Sequence, residues 1–122
     1  MIKWNPIFRK LKPNLPIPFD RKIRVTFVDY KDSDYDENNH AEVIVKDGVI
    51  SVSFYVPKDG VWHQEGQGRQ FGAEAGLAFF FCHEIWHAIF GKDELNKRDK
   101  EQEEIDADAF ASWWCQRKGI LI

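Results

Sequence analysis

Residues 83–87 read His-Glu-Ile-Trp-His, and no other short stretch of the chain has side chains and spacing so suited to chemistry. Four residues advance an α-helix by slightly more than one turn, so on a helix His83 and His87 share a face and both reach one metal ion. Glu84 is offset by one position. It lies beside the pair, close enough to hydrogen-bond a metal-bound water without entering the first coordination shell. The stretch around the motif is the most apolar in the chain. Two imidazoles and a carboxylate buried there without partners would be costly, and a metal supplies the partner.

A catalytic zinc takes three protein ligands and keeps one position open, so a further donor is needed. The acidic run near the end of the chain offers Glu101, Glu103, Glu104, Asp106 and Asp108. Glu104 and Asp108 are four apart and share a helix face, as Glu101 and Glu104 nearly do. Ala107, Ala109 and Ala111 are small enough to let this helix approach the first closely. Glu101, Glu103 and Asp106 fit a solvated helix face better than a metal site.

The pairing of His83-Glu84-Ile85-Trp86-His87 with a downstream Glu104 to Asp108 resembles the gluzincin metallopeptidases, which combine HExxH with a glutamate ligand in an ExxxD arrangement. The run Ala107-Asp108-Ala109-Phe110-Ala111 looks like the second-helix motif of CAAX-processing gluzincins and, more loosely, of ImmA/IrrE-type peptidases. The chain length is similar to that of the minigluzincins. The resemblance covers residues 76–114. It implies one zinc per chain held by His83, His87 and Glu104, Glu84 as general base, and Asp108 as the group that orients a zinc-bound imidazole. The implied reaction is peptide-bond hydrolysis of a protein or peptide substrate, with Glu84 passing a proton from water to the leaving amine. A donor for the developing oxyanion is also required. Tyr55, His63 and Arg69 are candidates, and no spacing selects among them. One competing function is a non-catalytic binding or structural module in which zinc only ties the two helices together, which a fourth protein ligand such as Cys82, Cys115 or His63 would mark; another is a latent or regulatory zinc-binding domain that acts through a partner.

The elements that must position these residues follow from periodicity. Residues 71–90 are apolar nearly all round, the pattern of a helix packed on several sides, and Gly91 is placed to end it. A second helix spans about 99–118, with Ile105, Ala109, Phe110, Trp113 and Trp114 expected on its buried face. Residues 41–46 and 49–56 are Val- and Ile-rich strands joined by Asp47-Gly48, a preferred type I′ hairpin turn. Residues 22–30 form a further strand, and residues 57–68 read as a loop. By the same resemblance, 49–56 is the edge strand that aligns substrate, ended by Pro57. Residues 1–20, with Pro6, Pro13, Pro16 and Pro18, read as an irregular or short helical arm laid against the domain. Such an arm could hold the site latent.

The expected fold is therefore α+β: a compact zincin with a small twisted antiparallel or mixed sheet, a central HExxH helix and a C-terminal glutamate helix. With 122 residues, 43% of them hydrophobic, the chain suits one globular domain over residues 1–122. Its net charge of −3 offers no basic excess for nucleic acid or an anionic membrane. No apolar run is long enough to span a bilayer, and the proline-interrupted start does not read as a signal peptide, so a cytoplasmic location is expected. Asp32, Asp34 and Asp36 alternate like a calcium loop, but Glu37 and Val43 stand where an EF-hand requires Gly and Glu. His40 is assigned no role. Cys82 and Cys115 read as small buried hydrophobes.

Overall fold

The computed structural model describes residues 2–29, 40–64, 68–92 and 94–120. Tyr30 and the acidic stretch 32–39 lie outside them. The chain runs through helix α1 (Trp4–Leu11), a 3₁₀ turn at Lys12–Asn14, strands β1 (Lys22–Asp29), β2 (Ala41–Lys46), β3 (Val49–Val56), β4 (Trp62–Gln64) and β5 (Arg69–Phe71), and helices α2 (Ala73–Phe90) and α3 (Lys97–Arg117). This is an α+β fold with a mixed sheet.

The hairpin between β2 and β3 forms as its turn residues dictate. Asp47 and Gly48 have φ values of 52° and 75°, the double left-handed conformation of a type I′ turn, which Gly adopts without penalty. On β3 the alternate residues Ile50, Val52, Phe54 and Val56 are fully buried, while Ser51, Ser53 and Tyr55 face the other way. β1 pairs with β3 in parallel and β2 pairs with it antiparallel, giving the order β1-β3-β2. The edge expected at 49–56 is therefore at 41–46. β3 has both its hydrogen-bonding sides occupied, and β2, which packs on α2, has no second strand partner among the described residues.

β4 and β5 pair antiparallel within the region read as a loop. Each is three residues long, too short for a period of two to stand out from its surroundings. Trp62 is fully buried on β4, and its indole N–H donates to the Ala73 carbonyl at 3.2 Å. The ring lies over Gly76, where a Cβ would fall 2.1 Å from it, so only glycine fits at that turn of α2.

Phe71 ends β5 and stacks on Phe79, with Gly72 as the N-cap of α2, so this helix starts two residues later than its hydrophobic pattern suggests. Residues 76–82 of α2 are buried without a break, along with Ile85. The helix is covered by β2 and β3, by α1, where Phe8 meets Phe81, and by α3. No helix among the described residues is long and apolar enough to cross a membrane.

α3 begins at Lys97 because Asn96 caps it, its Oδ1 accepting the Asp99 N–H at 2.9 Å. Its buried line is Ala107, Ala111 and Cys115, spaced by four, with Phe110 and Trp114 half-buried at the sides. Ile105 and Trp113, expected inside, are 60% and 52% exposed, and Ala109 is exposed too. Small side chains line the contact because the two helices lie close together, which leaves no room there for Ile or Trp.

Candidate metal centre

The unbroken burial of α2 stops at Cys82. From His83 onward its polar side chains face a cavity of about 920 Å³ between β2, the end of α2 and the start of α3. His83, Glu84 and His87 line it from α2, Glu101, Glu103, Glu104 and Asp108 from α3, and Ala41, Glu42 and Val43 from β2. The close α2–α3 contact through alanines brings the two sets of side chains together.

The geometry is a triangle of three donors. His83 Nε2 lies 3.0 Å from His87 Nε2, and Glu104 reaches both, with Oε2 2.9 Å from His83 Nε2 and Oε1 2.9 Å from His87 Nε2. On the far side of each ring a carboxylate waits. His83 Nδ1 is 2.7 Å from Asp108 Oδ1, and His87 Nδ1 is 2.9 Å from Glu103 Oε1. An ionised carboxylate only accepts, so each imidazole donates its Nδ1–H outward. Both Nε2 lone pairs then converge with the Glu104 oxygens. Three lone-pair donors at such separations repel unless a cation or a proton sits among them.

His83, His87 and Glu104 are thus a group that could hold a metal ion. The fit is good. A tetrahedral ion with bonds of about 2.0–2.1 Å holds its ligand atoms roughly 3.3 Å apart, so these atoms need separate by only a few tenths of an ångström. Among the described residues the group has three members, and neither cysteine joins it. Cys82 adjoins His83 in sequence but is turned away into the core, where its thiol hydrogen-bonds that of Cys115; both are free and buried.

The electrostatics of the metal-free protein follow from the same contacts. Burial opposes a charge on His83, yet the hydrogen bonds to Asp108 and Glu104 outweigh it and raise its pKa to about 10. Burial likewise opposes charge on His87, and Glu104 and Glu103 overcome it, so this pKa also rises. Glu104 resists the upward push of its own partial burial and is held well below the usual carboxylate range by the two imidazoles. Glu84 behaves oppositely. Burial dominates, and its carboxyl is pushed up to about 7 despite His83 and His87 nearby.

The three candidate oxyanion donors are not among the residues lining the cavity. Tyr55 alternates with the buried residues of β3 and so faces away from α2, His63 alternates with Trp62 and Gln64 on β4, and the Arg69 guanidinium lies over the Phe71 and Phe79 rings. The donors that do line the cavity are His40, Gln64, Lys92 and Lys100. His40, to which the sequence assigned no role, stacks against Phe80 with ring centroids 4.1 Å apart.

Glu103 was read as part of a solvated face. Its side chain is only 15% exposed, because it reaches under the end of α2 to His87 and to the Lys92 N–H. Its position directly before Glu104 was the available signal. Glu101 and Asp106 are exposed, Asp106 accepting from the Gln102 amide. Nothing in sequence distance pointed to Gln64, which donates to Asp108 Oδ2 at 2.9 Å across forty-four positions of chain. Among the described residues, none of 2–20 lines the cavity.

No family model, curated protein or solved structure matches this chain.

Proposed function

We propose that this protein is a zinc-dependent metallopeptidase of the gluzincin kind, with zinc held by His83, His87 and Glu104 and with Glu84 as general base. The observation that carries the reading is the convergence of three lone-pair donors at one point of an open cavity that the Glu84 carboxyl also lines. Two histidines and a carboxylate with nitrogen and oxygen donors suit zinc, and three protein ligands are the number that leaves a position for substrate. A purely structural zinc would call for a fourth.

When bound, zinc acidifies water and polarises a carbonyl. The protein's own part is proton handling and aim. Glu84, which lines the cavity beside the two histidines, would take the proton of the attacking water and deliver it to the amide nitrogen as the C–N bond breaks. Asp108 and Glu103 hold the two imidazoles in the tautomer that presents Nε2. β2 supports a peptide as the substrate, because Ala41, Glu42 and Val43 border the cavity on an outer strand of the sheet as the described residues form it. A peptide added along that strand would bind through main-chain hydrogen bonds and cross the site.

The test is elemental analysis of wild type, Glu104→Ala and Glu84→Gln, with cleavage of a peptide library on the same samples. Stoichiometric zinc in wild type, its loss in Glu104→Ala, and retained zinc without cleavage in Glu84→Gln are expected. Zinc without cleavage in wild type would replace the enzyme with a latent or regulatory zinc-binding domain. Absence of metal after incubation with zinc would overturn the centre itself.

A further inference from the structure

We propose that Gln64 is a positioning residue for the metal centre, acting through Asp108 on His83; the inference rests on the reading of His83 as a ligand. Gln64 is the one polar residue among the described residues that is buried, at 8% exposure. Its Nε2 donates to Asp108 Oδ2 at 2.9 Å, while Asp108 Oδ1 receives the His83 Nδ1–H at 2.7 Å. One carboxylate is thereby held at both oxygens.

The orientation of the Gln64 amide is dictated by chemistry. Facing an acceptor-only carboxylate, the amide must turn its nitrogen toward Asp108, which leaves Oε1 pointing elsewhere. That oxygen is buried and has no hydrogen-bond partner among the described residues. A buried orphan acceptor is unfavourable, and natural folds keep such departures mainly where function requires them. Here the requirement is an N–H aimed at Asp108.

The need arises because Asp108 is 34% exposed and otherwise free to rotate about its terminal torsion. If it swings, His83 loses the acceptor that fixes its ring. Gln64 can act as the anchor because its own backbone is fixed: β4 pairs with β5 through Gln64 and Arg69, and Trp62, two residues earlier, is fully buried against α2. The chain from Gln64 to Asp108 to His83 thus connects β4, α3 and α2. The partner imagewise across the site works the same way, since Glu103 receives His87 Nδ1–H on one oxygen and the Lys92 N–H, at 3.5 Å, on the other. This gives the short β4–β5 hairpin a purpose beyond packing.

The experiment compares wild type with Gln64→Met, which keeps the volume and loses the donor, in the full chain. The zinc dissociation constant and the electronic absorption spectrum of the cobalt-substituted protein are the readouts, with thermal melting of the metal-free forms as the control for folding. About a tenfold weaker zinc affinity and an altered cobalt spectrum in a folded Gln64→Met protein are expected. An affinity within about twofold of wild type, with the same spectrum, overturns the proposal. A double-mutant cycle separates positioning from general destabilisation. In an Asp108→Ala background Gln64→Met should have no further effect on zinc, whereas a full additional loss would show that Gln64 does not act through Asp108. If Gln64→Met does not fold, Gln64→Glu is used at a series of pH values. Its zinc affinity relative to wild type should recover as falling pH protonates the new carboxyl and restores a donor to Asp108; no recovery counts against the proposal. Should wild type bind neither zinc nor cobalt, the metallopeptidase reading falls separately, and the chain is read from the His83 Nδ1–H resonance of metal-free protein. Gln64→Met should weaken that signal by faster exchange, and an unchanged signal overturns the proposal.

Discussion

The residues of the centre disagree about protons, and that disagreement is measurable. Glu84 has a folded pKa of about 7 against an ordinary 4.5, so its contribution to stability is fully present below pH 4.5 and is lost as pH rises through 7. His83, raised from 6.5 to about 10, contributes stability below pH 6.5 that is lost as pH rises through 10. Both effects belong to the metal-free protein. Replacing Glu84 with Gln removes one of them, so metal-free Glu84→Gln should match wild type in stability near pH 4.5 and exceed it by roughly 1–3 kcal/mol at pH 8, read by thermal or denaturant unfolding. Equal stability at both pH values would show that Glu84 is not buried as described. Glu103 sits behind His87 as Asp108 sits behind His83. Glu103→Ala should therefore weaken zinc about 10- to 100-fold in a competition titration while the protein stays folded. No change would return Glu103 to the solvated face on which the sequence placed it.

At the level of elements, the close approach of α2 and α3 is what assembles the donors, and it depends on small side chains. Ala111 is fully buried in that contact. Ala111→Leu forces the helices apart and should destabilise the protein by about 1–3 kcal/mol, with a loss of zinc affinity beyond what a surface change of equal size on the same helix, such as Gln116→Leu, produces. Unchanged zinc affinity would separate helix spacing from ligand placement. The sequence made the two site helices and the hairpin legible because each has a strong local signal: continuous apolar character in α2, the return of periodicity in α3, and Asp47-Gly48 between two β-branched runs; the Asn96 cap, which starts α3 two residues before the expected 99, was not read. The buried face of α3 was misread because large apolar residues look like core wherever they stand. Packing distance decided otherwise and put Ala107, Ala111 and Cys115 inside.

For the whole molecule, the opening arm is part of the core and not a detachable cover. Trp4, Leu11 and Leu15 are buried, Trp4 packs edge-on against Trp62, and the Trp114 indole N–H donates to the Asn14 carbonyl at 2.7 Å. An arm that kept the site latent would stand over the cavity, and these residues lie elsewhere. Trp4→Ala should cost about 3–5 kcal/mol, measured by denaturant unfolding. Deletion of residues 1–18 should give a protein that fails to fold instead of one with released activity. A folded, more active deletion variant would restore latency as the function of the arm.

The HExxH spacing, the apolar character of the helix that carries it, and the acidic run with Glu104 and Asp108 were legible in the sequence, because a helix fixes the relative direction of residues four apart whatever surrounds it. Three features were not: Glu103 turned inward to His87, Gln64 reaching Asp108 from a three-residue strand, and β2 in place of β3 as the strand beside the cavity. Each depends on which elements become neighbours after the chain folds. Local periodicity reports the face a residue is on, whereas strand order and the distance between helices determine what that face meets.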